Sequence, residues 1–141
     1  MGILNLTPDS FSDGGRFNSE DEAFKRIEQL IEDGADIIDI GAASSRPGAD
    51  LIPVEEEIRR LTPVVTKYKS HFSTPLSLDT FHGEVAAFGL AHGVDLINDI
   101  TGLSQESMIE TIKTTDVPVV LMHMNGTPQT MQTNPTYTQD V

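Results

Sequence analysis

Asn5, Asp39, Asp79, Asn98 and His123 each follow a short apolar run: "GIL", "DII", "LSL", "LI" and "VPVVLM". A lone Asp at the end of a strand is most simply a cap or turn former. Polar residues at successive strand ends, separated by roughly the 20 to 40 residues of one β/α unit, point instead to a shared rim. A carboxylate that emerges from an apolar strand into a partly dry cavity costs free energy unless it meets donors. Asp39 and Asp79 therefore ask for a ligand rich in N–H groups. Asn98 both donates and accepts, which suits a heterocycle with adjacent donor and acceptor edges, such as a purine or a pterin. His123 with Asp79 and Asp39 also has the ligand types of an imidazole–carboxylate metal triad. Arg46, followed by Pro47-Gly48, is one of few cations near these ends and suits a carboxylate or a phosphate. His71, His82 and His92 fall in helical or loop positions and read as surface residues. Met122 and Met124 read as pocket wall or core.

The elements that must position these residues repeat one grammar. Ser19-Glu20-Asp21-Glu22 has capping-box spacing and predicts a helix start, with Ala23, Ile27, Leu30 and Ile31 on one face and Gly34 as its stop. "ADIIDIGAASSRPG" (35–48) then gives a β-branched strand followed by small residues and a turn. Pro53 opens the next helix, where Glu55, Glu56 and Glu57 complement the dipole and Val54, Ile58, Leu61, Val65 and Tyr68 keep helical spacing. "PLSLDT" (75–80) reads as a strand, 84–92 as a short helix stopped by Gly93, and "DLINDIT" (95–101) as another strand. "GADIIDIGA" and "GVDLINDIT" align without a gap, which pairs Asp39 with Asn98. A helix near 105–114 leads to the strand "VPVVLMH" (117–123). Strands alternating with helices through short loops imply parallel strands and right-handed crossovers, an α/β class. No G-x-G-x-x-G follows the first strand, so a (β/α)₈ barrel is favoured over a doubly wound sheet. Five strands and four helices amount to a partial barrel, incomplete at the C-terminus.

The formal charge of −13 sets nucleic acid and anionic membranes aside as partners. The chain has no Cys and no apolar run near the roughly 20 residues of a membrane span. A cytoplasmic address is expected.

"MGILNLTPDSFSDGG", "DIIDIGAASSRPGA", "SLDT", "LINDITG" and "LMHMNGTPQTMQ" resemble, in order and spacing, the successive signatures of the dihydropteroate synthase family, over essentially the whole chain. The resemblance implies a (β/α)₈ barrel. The implied activity joins p-aminobenzoate to 6-hydroxymethyl-7,8-dihydropterin diphosphate, giving 7,8-dihydropteroate and pyrophosphate with help from Mg²⁺. By the same resemblance, Asn5 helps bind the Mg²⁺ carried by the diphosphate, Asp79 and Asn98 hydrogen-bond the pterin, and Met122 lines its pocket. Asp39 is a further acidic position at the pterin end. Residues 7–15 correspond to a first loop, with Phe11 against the aminobenzoate and Asp13 near the reacting methylene. Ser45, Arg46 and Pro47 correspond to a second loop. A homodimer is implied at full length.

In that second loop the family commonly reads Glu-Ser-Thr-Arg-Pro-Gly, where this chain has Ala43-Ser44-Ser45-Arg46-Pro47-Gly48. The family's C-terminal half also carries a pterin-binding Asp, a Ser-Arg-Lys segment and an Arg-x-His site that this sequence lacks. The expectation is therefore a fragment that is inactive alone. Two rivals stay open, a pterin-binding methyltransferase domain of the methyltetrahydrofolate type and a non-catalytic half-barrel module. The "TPDSFSDGG" loop argues against the first.

Overall fold

The computed structural model describes residues 1–7, 16–43 and 52–123, with the side chains of residues 16–19 excepted. Five strands and four helices alternate: β1 (Gly2–Asn5), α1 (Arg16–Glu32), β2 (Ile38–Gly41), α2 (Val54–His71), β3 (Leu76–Asp79), α3 (Gly83–Ala91), β4 (Leu96–Asp99), α4 (Glu106–Ile112) and β5 (Val119–Leu121). The strands pair in parallel in the order β1-β2-β3-β4-β5. With no reversal of that order, right-handed crossovers put every helix on the same side of the sheet. A doubly wound sheet would reverse, so this is the arrangement of a partial (β/α)₈ barrel.

Alternation along each strand divides the side chains between two faces. Leu4, Ile38, Ile40, Leu76, Leu78 and Ile97 form the helix-side core with Ala23 and Ile27 of α1, Leu61, Val64, Val65 and Tyr68 of α2, Val85 and Ala86 of α3, and Met108 of α4. Glycine lets the layers approach. A Cβ at Gly89 would stand 2.4 Å from Leu78 Cδ2, and one at Gly83 only 2.2 Å from the Ser107 carbonyl oxygen. Gly34 and Gly93 end α1 and α3 with φ of 97° and 86°, as their positions in the sequence predict.

One sequence expectation about the helices is corrected. α1 begins at Arg16, so the Ser19–Glu22 pattern lies within its first turns and does not mark its start. On α2, Leu61, Val65 and Tyr68 are buried and Val54 and Ile58 pack against the core partly buried, as their spacing predicts, and Glu57 and Val64 join the buried face. No helix among the described residues is long and apolar enough to cross a membrane.

Candidate functional site

The sheet face turned away from the helices carries the polar residues. Register sets Asn5 opposite Gly41, Gly41 opposite Asp79, and Asp79 opposite Asn98, so these four stand level at the C-terminal rim. One layer deeper, Asp39 lies between Ile3 and Ser77. Asp39 is thus the second residue of β2 and not, as expected, at its end. Its alignment with Asn98 in the repeated sequence does not make the two level, because neighbouring strands of a barrel are staggered by its shear.

That stagger brings them into contact instead. Asn98 Nδ2 donates to Asp39 Oδ2 at 3.2 Å, and Ser77 Oγ donates to Asp39 Oδ1 at 2.5 Å. Asp39 is buried and accepts at both oxygens. Its geometry is that of a residue that orients Asn98. With the amide nitrogen held from below, the Asn98 Oδ1 is left as an acceptor for whatever enters the rim.

Asp79 leans across the neighbouring strand. A Cβ at Gly41 would stand 3.3 Å from both Asp79 Cβ and Oδ2, so the absence of a side chain at 41 makes room for this carboxylate. Among the described residues no hydrogen bond reaches it. Burial, together with the negative charges of Asp39, Glu57 and Asp99, pushes its pKa up to about 7. The group is therefore short of donors, and a ligand presenting N–H groups would supply them.

The loops that follow β3 and β4 are fixed from within. Asp99, fully buried, accepts from Thr101 N, Thr101 Oγ1 and Leu103 N, each at 2.8 Å. These bonds hold a turn in which Gly102 and Leu103 adopt φ of 63° and 62°. Met122 follows β5, and its N–H donates to the Asp99 carbonyl at 3.2 Å. This places Met122 beside the β4–α4 loop. After β3, Thr80 N–H donates to the Asn98 carbonyl at 3.2 Å, and the Thr80 hydroxyl accepts from His82 N at 3.2 Å.

His82 is not the surface residue that its loop position implied. Its Nδ1 lies 2.7 Å from Glu57 Oε2, and Glu57 is fully buried under α2. Sequence reasoning assigned Glu57 only to the helix dipole. The signal that could have found it is its spacing, since positions 57, 61, 64, 65 and 68 trace one helical stripe.

Asn5, Asp79 and Asn98 stand level at the rim with Asp39 one layer below, while His123, just beyond β5, stands exposed. Among the described residues no group of three acidic or imidazole side chains is placed to hold a metal ion, which removes the Asp39–Asp79–His123 triad. Phe11, Asp13, Ser45, Arg46, Pro47 and Met124 lie outside the described residues.

Comparison with known proteins adds to this geometry. A family described as pterin binding enzyme matches residues 1–141. The dihydropteroate synthase of Haemophilus influenzae is 47% identical over 137 residues, covering 97% of this chain and 50% of that protein. Among solved structures, a Yersinia pestis dihydropteroate synthase in complex with a sulfonamide drug superimposes with a TM-score of 0.89 at 44% identity, covering 99% of this chain and 50% of that one. A Xanthomonas albilineans dihydropteroate synthase with 4-aminobenzoic acid gives 0.82 at 47% identity, covering 89% and 46%. The chain spans about half the length of the dihydropteroate synthases it matches.

Proposed function

Since the chain belongs to the family of pterin binding enzymes, we propose that it carries the pterin end of a dihydropteroate synthase site. That site would join p-aminobenzoate to 6-hydroxymethyl-7,8-dihydropterin diphosphate and release pyrophosphate. The observation that supports this reading most is the level pair of Asp79 and Asn98. One is a carboxylate without donors among the described residues and the other an amide whose nitrogen is already engaged. Together they present acceptors to a flat heterocycle edge rich in N–H groups.

The residues divide the work as follows. Asp79 takes ring N–H donors in its ionised form, and Asn98 fixes the ring's orientation. Asp39 holds the amide and places negative charge beneath the pocket. As diphosphate departs, positive charge develops on the pterin methylene, and the carboxylates of Asp79, Asp39 and Asp13 stabilise it electrostatically. Asp39 acts on that charge from the deeper layer, while Asp13, by its resemblance, acts at the methylene. Phe11, Ser45, Arg46 and Pro47 receive the aminobenzoate, and their two loops exclude water that would otherwise capture the cation. Met122 closes the pterin pocket.

Mg²⁺ would arrive with the diphosphate. Asn5 ends β1 at the rim with an exposed side chain, and one hard amide oxygen suits an ion that keeps its waters and phosphate oxygens as its main ligands. When bound, such an ion neutralises the leaving group. For this chain alone, binding of the pterin without turnover is the expected behaviour.

Calorimetric titration of the chain with 6-hydroxymethyl-7,8-dihydropterin tests the reading. Saturable binding that is lost in Asp79→Ala is expected. Equal binding by the wild type and Asp79→Ala would overturn it.

A further inference from the structure

The mechanism above makes no use of Glu57, although it is a fully buried ionisable side chain. Burying a carboxylate is costly unless its oxygens are paired. Oε2 meets His82 Nδ1 at 2.7 Å, yet Oε1 has no hydrogen-bond partner among the described residues. An apolar side chain of similar size in the same stripe of α2 would pack without that cost. The residue is therefore not explained by the core it sits in.

Its location offers a reason. His82 occupies the N-cap position of α3, its backbone N–H is held by the Thr80 hydroxyl, and Thr80 N–H is tied to the Asn98 carbonyl. The turn from Asp79 to Gly83 is pinned to β4 on one side and to α2 on the other, and the second pin is Glu57.

We propose that Glu57 is a positioning residue for Asp79: through His82 it fixes the turn that follows Asp79 and sets a second, buried carboxyl beside that turn, so that the two acids act on one another. The charged groups that face Asp79 are Asp39 from β2, Glu57 from α2 and Asp99 from β4, with His82 in the turn itself. The three acidic groups are of one sign; Asp39 bonds Ser77 and Asn98, Asp99 bonds Thr101 and the Leu103 backbone, and Glu57 bonds His82. Burial and these charges hold Asp79 near neutrality in titration, which agrees with the geometry. A ligand with N–H groups binds the ionised form, so binding drives the proton off. That consequence rests on the pterin reading; the coupling of Glu57 to Asp79 does not.

The test reads the two side chains directly. Carboxyl ¹³C resonances of Asp79 and Glu57 are followed against pH in the unliganded chain and in Glu57→Gln and Glu57→Asp. The Gln variant keeps shape and an acceptor for His82 but loses the charge, and it should lower the Asp79 midpoint by about one pH unit, tenfold in the protonation equilibrium. Glu57→Asp keeps the charge and should leave the midpoint near its wild-type value. An unchanged midpoint in a folded Glu57→Gln chain overturns the proposal. Should that variant not fold, the wild type still decides, because a Glu57 resonance with no inflection where Asp79 titrates shows the two uncoupled. If Glu57→Gln shifts the midpoint while neither protein binds the dihydropterin, the pterin reading falls and the coupling stands.

Discussion

Asp79 lies across the backbone of Gly41, with Oδ2 3.3 Å from the point where a Cβ at that glycine would stand. The contact explains why β2 ends on a residue without a side chain, since any substituent there would displace the carboxylate. Gly41→Ala is therefore expected to weaken dihydropterin binding by tenfold or more while moving the melting temperature only slightly. Calorimetry and thermal unfolding measure the two effects. A variant that binds as tightly as the wild type would show that the Asp79 position is not set by this contact.

Asp79→Asn should lower pterin affinity by a few kcal/mol, because a charge-assisted bond is lost and an amide donor faces ring N–H groups. Asn98→Ala should act more mildly at the ligand, but it also removes the donor to Asp39 Oδ2. Its loss of stability should therefore exceed that of Asp79→Asn. Unchanged binding in both variants would sink the assignment of this pair to the pterin.

The raised pKa of Asp79 has a second, ligand-free consequence. Its carboxyl titrates at about 7 in the folded chain, against an ordinary value of 3.8. The folded state holds the extra proton between these values, so the stability contributed is fully present below about pH 3.8 and is lost as pH rises through about 7. Asp79→Asn escapes that loss. Its advantage in melting temperature over the wild type should grow from pH 4 to pH 7 and then level off. A difference that stays constant across this range would place the Asp79 carboxyl in water.

Much of this arrangement is legible in the sequence, and what is not has a physical cause. The strand ends are readable because a buried parallel strand is a short apolar run, and a polar residue closing it stands out. The repeat "GADIIDIGA"/"GVDLINDIT" reveals two equivalent units but not their relative height. Register belongs to strand pairing, and it puts Asp39 a layer below Asn98. The Glu57–His82 pair joins residues 25 apart on different elements. No local pattern encodes such a contact, and three consecutive glutamates at a helix start conceal which one turns inward. α1 shows the opposite failure, in which Ser19 and Glu22 fit a local rule for a helix start although the helix already runs from Arg16.

Gly83→Ala should be strongly destabilising. The new Cβ would fall 2.2 Å from the Ser107 carbonyl oxygen and 2.7 Å from Met108 N, both backbone atoms of α4 that cannot rotate away. A cost of about 2 to 3 kcal/mol, at the upper end for overpacking, is expected in chemical denaturation. At Gly34, where φ is 97° and nothing lies within 4 Å, an Ala should cost only the conformational strain, about 1 kcal/mol. Equal losses at the two positions would mean that α3 and α4 are not packed at this distance.

The sheet's outer strands carry the last expectation. Among the described residues β1 and β5 each pair on one side only, and Ile3, Val120 and Leu121 are 61%, 42% and 51% exposed. Unpaired N–H and C=O groups beside exposed apolar side chains recruit further strands. The 141-residue chain is therefore expected to self-associate as concentration rises. Charge at an edge opposes such pairing, so Val120→Lys should shift the chain toward the monomer. Light scattering across a concentration series reads both effects. Association that is undiminished in Val120→Lys would locate the contact away from β5, and a wild-type chain that stays monodisperse throughout would show that these edges are protected.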